Sequence, residues 1–405
     1  MEHLALLSRL ARRNAEKIVL LVLDGVGDLA LADQPRTALQ AASTPHLDAL
    51  AAGGSVGRIV PVTWGITPGS GPGHLALFGY DPRDDAYDIG RGVLEAMGLG
   101  LTLDSRSVAA RANFATADAE GRLTDRRAGR IPTEENRRLC ARLRDALSTV
   151  EGTEVSVEPG EGHRFVLLLH GDGLSDAVAD TDPQKLAVPP REAQATAPEG
   201  EATAALVRRT VEIMEEALAG EPQANRVLLR GFSKPPHVPS FGELYGLTAG
   251  AFAGYPLYRG VAAACGMEVV ECGKQPDELF ARVAERWNDF DYLFLHVKQT
   301  DAAGEDGDLE AKVEVLERVD AALPTLLELA PDVVAVTGDH STPAPMKAHS
   351  WHPVPVLISG ARAYVDAVDR FDETAAIAGH LGTFPSRHLM GLLLAHAGKL
   401  AKYGA

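Results

Sequence analysis

The strongest limit on how this chain can fold comes from short, almost unbroken apolar runs: Ile18 to Leu23, Arg226 to Leu229, Tyr292 to Val297, Val333 to Val336 and Val354 to Ile358. A strand with one wet face alternates apolar and polar residues. An unbroken run has to be buried on both faces, the condition of strands in a parallel sheet covered by helices. Segments of helical length, 204–219, 275–287 and 309–329, lie between these runs. The alternation predicts an α/β core with a largely parallel sheet.

A chain of 405 residues is too long for one simple core, so a second domain or a large insertion is expected. The stretch from about 105 to 220 has a different texture. It contains AARANFAT and DRRAGR, the hairpin-like EVSVEPGEGHRFVLLLHG, and the Pro/Ala/Glu-rich DPQKLAVPPREAQATAPEGEA, which reads as a mobile or surface-laid loop. The expected division is therefore a core from 1–106 and 221–405, with an inserted α+β cap over 107–220. The N-terminal segment carries charges through its apolar part and has no small-residue cleavage site, so it is read as a short amphipathic helix. No run reaches membrane-spanning length, and the cytoplasm is the expected location. Three cysteines, Cys140, Cys265 and Cys272, match no zinc spacing and are expected as free thiols, although Cys265 and Cys272 could pair.

Chemistry concentrates where the apolar runs stop. In open α/β sheets, ligands bind beyond the carboxyl ends of the strands. VLDGVGD places Asp24 there; a turn residue and a ligand account for it equally well. QTDAAGEDGD places Asp301, Glu305, Asp306 and Asp308 within eight residues. As a solvated loop, it would put acids at the start of the helix near 309. As a site, an Asp and a carboxylate four apart would face a cation. VTGDHSTPAPMKAHSWHPVPVLISG is the most specific segment, with Asp339, His340, His349 and His352 inside fourteen residues. Neighbouring Asp and His can serve two adjacent ions, which together clamp a phosphoryl group. In TPGSGPGHLALFGYDP, Ser70 stands in a Gly-rich turn before a helical run, either as a cap or as an exposed hydroxyl near a helix N-terminus that favours anions. No G-x-S-x-G elbow is present, which argues against an esterase serine.

The formal net charge of −17 argues against a nucleic-acid binder, since phosphate backbones require a basic surface. The insert nevertheless gathers Arg111, Arg126, Arg127, Arg130 and Arg164, with His163 beside the last. Guanidinium forks recognise phosphate and carboxylate bidentately. The partner these residues suit is a small phosphorylated carboxylic acid, with no nucleic acid or membrane; oligomeric state is not legible.

Taken together, LDGVGD, TPGS…HLALFGYDP, GRGVLEAMGLGL, RANFAT, DRRAGR, TDAAGEDGD and TGDHSTP…KAHSWHPVPVLI resemble the archaeal-type, cofactor-independent phosphoglycerate mutases of the alkaline phosphatase superfamily, in order from about residue 17 to 395. The resemblance implies an alkaline-phosphatase-like core with a cap. It also implies that 3-phosphoglycerate and 2-phosphoglycerate interconvert through a phosphoserine at Ser70, with two divalent cations and no bisphosphoglycerate. One ion would be held by Asp24, Ser70, Asp339 and His340, the other by Asp301, Glu305 and His349. The resemblance prefers His349 over His352 through the H-x-x-x-P-V-P pattern, where the residues alone leave the two tied. It carries Lys298 over as the lysine near the phosphate, and Arg111, Asp125, Arg126, Arg130, His163 and Arg164 as substrate-contacting residues of the cap, which is expected to close and exclude water. One departure stands out: many relatives have His where this chain has Glu305. A harder, more negative ligand set favours Mn²⁺ or Mg²⁺ over Zn²⁺. The rival readings are a phosphatase or phosphonate hydrolase, or a small-molecule kinase, on the same core. A catalytically silent metal- or anion-binding protein is a third, and intact Ser70 and ligand positions argue against it.

Overall fold

The computed structural model describes residues 2–404, which form two compact units: residues up to Asp88 together with those from His237 onward, and Ile89–Pro236. The first unit is built on an eight-stranded sheet. Its order is Glu268–Val270, Ala249–Ala253, Tyr292–Val297, Ile18–Leu23, Val333–Thr337, Val354–Gly360, Gly54–Val60 and Gly382–Pro385. All run the same way except Val354–Gly360, which is antiparallel to both neighbours. The sheet is thus largely parallel within a mixed α/β fold, as the apolar runs predict. Every residue of Ile18–Leu23 is 0% exposed, and full burial of such side chains stabilises by about 1.5–3 kcal/mol each.

The central strand fixes where chemistry can occur. Leu23 is in register with Val297 on one side, and Val22 with Thr337 on the other. The three chain segments that follow these strands therefore leave the sheet side by side. The helices Pro276–Glu285 and Leu309–Leu327 form close to the expected segments, and the N-terminal helix spans Glu2–Leu10. Among the described residues no helix is long and apolar enough to cross a membrane.

The second unit is a separate antiparallel sheet around the long strand Ser107–Ala117. The expected hairpin is present, with Thr153–Pro159 pairing antiparallel to Arg164–His170. Leu139, Cys140 and Leu143 of the helix Thr133–Ala146, and Leu206, Val207 and Met214 of Glu201–Ala217, close over Phe114, Phe165, Val227 and Leu229 in one core. The Pro/Ala/Glu-rich stretch is laid on this unit and pinned, with Ala179 N donating to Gln194 O and Arg191 N to Thr181 O.

Two expectations need correction. Arg226–Ser233 is not a core strand; it pairs antiparallel with Ser107–Ala117 in the second unit. The inserted unit therefore runs from 89 to 236 rather than from 107 to 220. At its start, the helix Arg91–Gly98 lies directly on this sheet: a Cβ on Gly92 would stand 2.1 Å from Ala109 O and 2.8 Å from Gly231 O. The cysteines are all free, with Cys140 and Cys265 buried and Cys272 only partly so.

The contact at Gly92 leaves no room for a methyl group, because its nearest neighbours are backbone oxygens. Gly92→Ala should destabilise the second unit by about 1–3 kcal/mol, the usual cost of overpacking. Urea unfolding followed by circular dichroism checks this; an unchanged midpoint would contradict the close packing.

Candidate functional site

The sheet brings four distant segments to one point. Asp24 follows the central strand directly and is 0% exposed. Its Oδ2 accepts from His296 Nε2 at 2.9 Å and lies 3.7 Å from Lys298 Nζ. Its Oδ1 lies 3.3 Å from His340 Nε2 and has no hydrogen bond. Burial opposes the charge on Asp24, but His296, His340 and Lys298 outweigh it and hold the carboxyl below the usual range. Asp339 is also 0% exposed. Its Oδ1 accepts from Gly25 N at 3.3 Å. Its Oδ2 is 3.2 Å from His74 Nδ1 and 3.3 Å from His340 Nε2, yet is left without a hydrogen bond. Burial and the Asp24 carboxylate push its pKa upward, while His340 and His74 bring it below the ordinary value. Gly25 has φ +61°, and a Cβ there would meet Thr342 Oγ1 at 2.5 Å and Asp301 Oδ1 at 2.7 Å, so only glycine fits this turn.

Ser70 opens the helix Ser70–Leu77, with Gly69 as its extended N-cap. Its Oγ is 3.3 Å from His340 Nε2. The other imidazole nitrogen of His340 lies 3.0 Å from Thr342 Oγ1 and 3.9 Å from Asp301 Oδ1. Asp301 is 0% exposed and takes a 2.5 Å hydrogen bond from Thr342 Oγ1. Lys298 Nζ donates to its other oxygen. Burial alone would lower the Lys298 pKa, but Asp24 and Asp301 raise it, so the ammonium stays charged. His349 Nε2 lies 3.5 Å from Asp301 Oδ1 and 3.8 Å from Glu305 Oε1, its ring stacks on His340 at 3.7 Å, and its Nδ1 bonds Pro68 O at 3.0 Å.

Two donor groups result: Asp24, Asp339 and His340, and Asp301, His340 and His349, each with ligand atoms within 4.8 Å of one another. Unpaired buried carboxylate oxygens next to imidazole nitrogens fit divalent cations, because such oxygens are costly to bury without a partner. His352 is in neither group; it bonds Ser350 Oγ and stacks on Trp351. The segment read as a loop is the helix Gln299–Asp306, so Asp301 and Glu305 share a helical face. The Glu305 side chain is 55% exposed and stands at the margin of the second group. Asp308 caps the next helix, accepting from Ala311 N.

Three residues that sequence reasoning passed over complete the centre. His296, inside a strand otherwise wholly apolar, holds Asp24, and Tyr258 stacks on its ring at 3.6 Å. His74 bonds Ser70 O at 2.8 Å while facing Asp339. The available signal was burial itself: a histidine in a run buried on both faces needs a polar partner.

The second unit holds the arginines. Arg111 stands directly opposite Arg230 across the sheet. Burial, then Arg164, Arg91 and Arg230, lower the Arg111 pKa, against Glu95. Arg164 and Arg130 are exposed. Asp125 accepts from Arg127 N and Gly129 N, shaping the DRRAGR turn. Arg126 has a structural engagement, a fork onto buried Asp182 at 2.8 and 2.7 Å. Arg91 and Arg230 join this cluster and were not singled out by motif. His163 is pushed down to about 4 by burial and by Arg164, Arg127 and Arg111.

The chain is thus an α/β protein with two Asp/His groups that could hold metal ions at the ends of parallel strands, and with a serine hydroxyl at a helix start beside them. A family model described as 2,3-bisphosphoglycerate-independent phosphoglycerate mutase matches residues 51–224. A Thermus thermophilus protein named "Probable 2,3-bisphosphoglycerate-independent phosphoglycerate mutase" is 50% identical over 408 residues, covering 100% of both chains. A protein of the same name from Aquifex aeolicus is 46% identical over 98% of this chain and 99% of its own. Among solved structures, a Pyrococcus horikoshii protein superposes with a TM-score of 0.81 at 29% identity, covering 98% of this chain and 100% of that one. A cofactor-independent phosphoglycerate mutase from Thermoplasma acidophilum gives 0.71 at 30% identity, covering 95% and 100%. The chain belongs to the 2,3-bisphosphoglycerate-independent phosphoglycerate mutase family.

The depressed His163 pKa can be checked directly. An unfolded histidine titrates near 6.5 and the folded one near 4, so between these values the unfolded chain binds the extra proton. The His163 contribution to stability is therefore fully present above about pH 6.5 and is lost as pH falls toward 4. NMR titration should place its midpoint near 4, and inorganic phosphate should raise that midpoint by offsetting the neighbouring guanidiniums. A midpoint near 6.5 without phosphate contradicts the cluster.

Proposed function

We propose that this protein interconverts 3-phosphoglycerate and 2-phosphoglycerate without bisphosphoglycerate, through a phosphoserine at Ser70 and with two divalent cations. The observation that carries the reading is the sharing of His340 between two Asp/His donor groups, with Ser70 Oγ 3.3 Å from His340 Nε2. Full-length relatedness to the mutase family supports the choice of substrate.

Asp24, Ser70, Asp339 and His340 would hold one cation, and Asp301, His349 and Glu305 the other. When bound, they lower the pKa of the serine hydroxyl and offset charge on the phosphoryl oxygens. The remaining work falls to the chain. The turn at Gly69 sets Ser70 at the helix start, where backbone N–H groups favour an anion. Ser70 Oγ gives up its proton and forms a bond to phosphorus as the bond to the substrate's own oxygen breaks, and that oxygen takes up one proton as the glycerate hydroxyl, so the step is proton-neutral. The other glycerate hydroxyl then attacks the phosphoserine, gives up its proton, and restores Ser70. Lys298 supplies a fixed positive charge to the phosphoryl oxygens. His296 and His74 hold the Asp24 and Asp339 carboxylates in orientation. The Arg111 and Arg164 guanidiniums recognise the acid's carboxylate. Interconversion of these two acids is a glycolytic reaction, in keeping with a cytoplasmic enzyme.

The test is product analysis with 3-phosphoglycerate by ³¹P NMR. 2-Phosphoglycerate should accumulate to equilibrium, whereas predominant release of inorganic phosphate would overturn the reading in favour of a hydrolase. Ser70→Ala should reduce turnover at least about 1000-fold, as loss of a covalent nucleophile does, while leaving melting behaviour intact. Chelation should abolish activity, with Mn²⁺ or Mg²⁺ restoring it. Because Glu305 makes the second donor set harder, Glu305→His should shift metal preference toward Zn²⁺ in competition binding. Zinc as the only activating ion of the unaltered protein would refute that preference.

A further inference from the structure

Lys312 occupies a place that disfavours a lysine. It lies in the first turns of the helix Leu309–Leu327, at the positive end of the helix dipole, and is 0% exposed. Both conditions oppose an ammonium. Its three donors are all used. Nζ donates to Gly25 O at 3.0 Å, Gly27 O at 3.3 Å and Thr342 O at 2.9 Å. The nearest carboxylate, Asp28 Oδ2, is 4.0 Å away, and Asp28 itself accepts from Ala344 N at 3.0 Å.

These carbonyls belong to two turns. Gly25 and Gly27 follow Asp24; Thr342 follows Asp339 and His340. Thr342 N also donates to Gly25 O at 3.2 Å and Gly27 O at 3.0 Å, so the ammonium and one amide staple the turns together. Thr342 Oγ1 in turn bonds Asp301 Oδ1 and His340 Nδ1. The staple is thus one residue from Asp24, two from His340, and one side-chain hydrogen bond from Asp301, while Lys312 touches no donor atom of either group.

We infer that Lys312 is a positioning residue: its tripod fixes the distance between the Asp24 turn and the Asp339–His340 turn, and through Thr342 the position of Asp301. It thereby sets the spacing of the two cation sites. The inference rests on the two-cation reading above. Without the tripod, each turn would keep its backbone hydrogen bonds to the other but lose the rigid third point that holds the donors at one separation. Partners of this kind behind metal ligands alter affinity by about 10- to 100-fold.

The test uses the full-length protein stripped of metal and titrated with Mn²⁺ by calorimetry. Lys312→Met keeps length and loses all three donors. Leu316→Ala, one turn further along the same buried helix face, is the control for stability loss alone. Mn²⁺ affinity should fall about 10- to 100-fold in Lys312→Met and stay within twofold of the parent in Leu316→Ala. At saturating Mn²⁺, kcat should fall while KM for 3-phosphoglycerate stays within twofold. If Lys312→Met does not fold, Lys312→Gln, too short to reach all three carbonyls, is judged by the same criterion. Parental Mn²⁺ affinity in the Lys312 variant, or equal loss in Leu316→Ala, would overturn the positioning role. Failure of the unaltered protein to bind Mn²⁺ would instead overturn the two-cation reading, and this inference with it.

Discussion

The structure of the first unit turns on two carboxylates, Asp24 and Asp339, buried side by side at the end of a sheet with no exposure to water. Two like charges within 4.8 Å repel by about 3–4 kcal/mol at the effective dielectric of a protein interior. Desolvation adds to this. The chain counters with His74, His296 and His340 and with the ammonium of Lys298. Even so, one oxygen of each carboxylate has no hydrogen bond. Such an arrangement is costly as mere architecture. A cation meeting those oxygens would make it favourable, and its binding free energy would then be linked to the folding free energy of this unit.

Placing those charges requires the sheet order. Asp24 comes near the start of the chain and Asp339 more than three hundred residues later. They meet because Ile18–Leu23 is flanked by Tyr292–Val297 and Val333–Thr337, all parallel. The insertion leaves this untouched, since it enters after Asp88 and departs before His237, outside the three central strands. Most contacts that form the centre are non-local, the class of contact that is entropically expensive to close before it is rewarded. The apolar central strands supply the drive that brings the polar residues together.

What could be read in advance followed from periodicity and strand ends. Ile18 to Leu23, Tyr292 to Val297 and Val333 to Val336 announce themselves as doubly buried, and the acids at their ends mark the crevice. Arg226 to Leu229 misled because three apolar residues do not reveal which sheet they join; its partner is Ser107–Ala117 in the other unit. Ala249–Ala253 escaped notice because AGAFA is short and small. It is a strand because Gly250 leaves space for the Phe290 ring, 2.6 Å from where a Cβ would be. The Gln299–Asp306 segment looked like an acidic loop, yet it forms a helix closed by Gly307 at φ +73°. His74 and His296 were hidden for the opposite reason: in an apolar context a histidine looks incidental until the carboxylate it faces is known. Arg126 shows the limit of motif reading, since a basic motif cannot say which guanidinium is already committed, here to Asp182.

The second unit repeats the physical logic of the first with the sign reversed. Arg111 and Arg230 face each other across adjacent strands, an arrangement that is destabilising for like charges. Arg164 and Arg91 add to the field at Arg111, and burial together with Arg164, Arg127 and Arg111 pushes the His163 pKa down to about 4. Asp180 and Asp182 lie 3.6 Å from Arg230 and compensate part of this field; Glu95 opposes the depression of the Arg111 pKa. In a chain of net charge −17, the gathering of guanidinium groups around Arg111 and of buried carboxylates around Asp24 is not a consequence of composition. Each unit carries a set of like charges that its own fold incompletely neutralises. Each set therefore favours ligands of opposite charge: cations at the carboxylates of the first unit, and anions at the guanidiniums of the second.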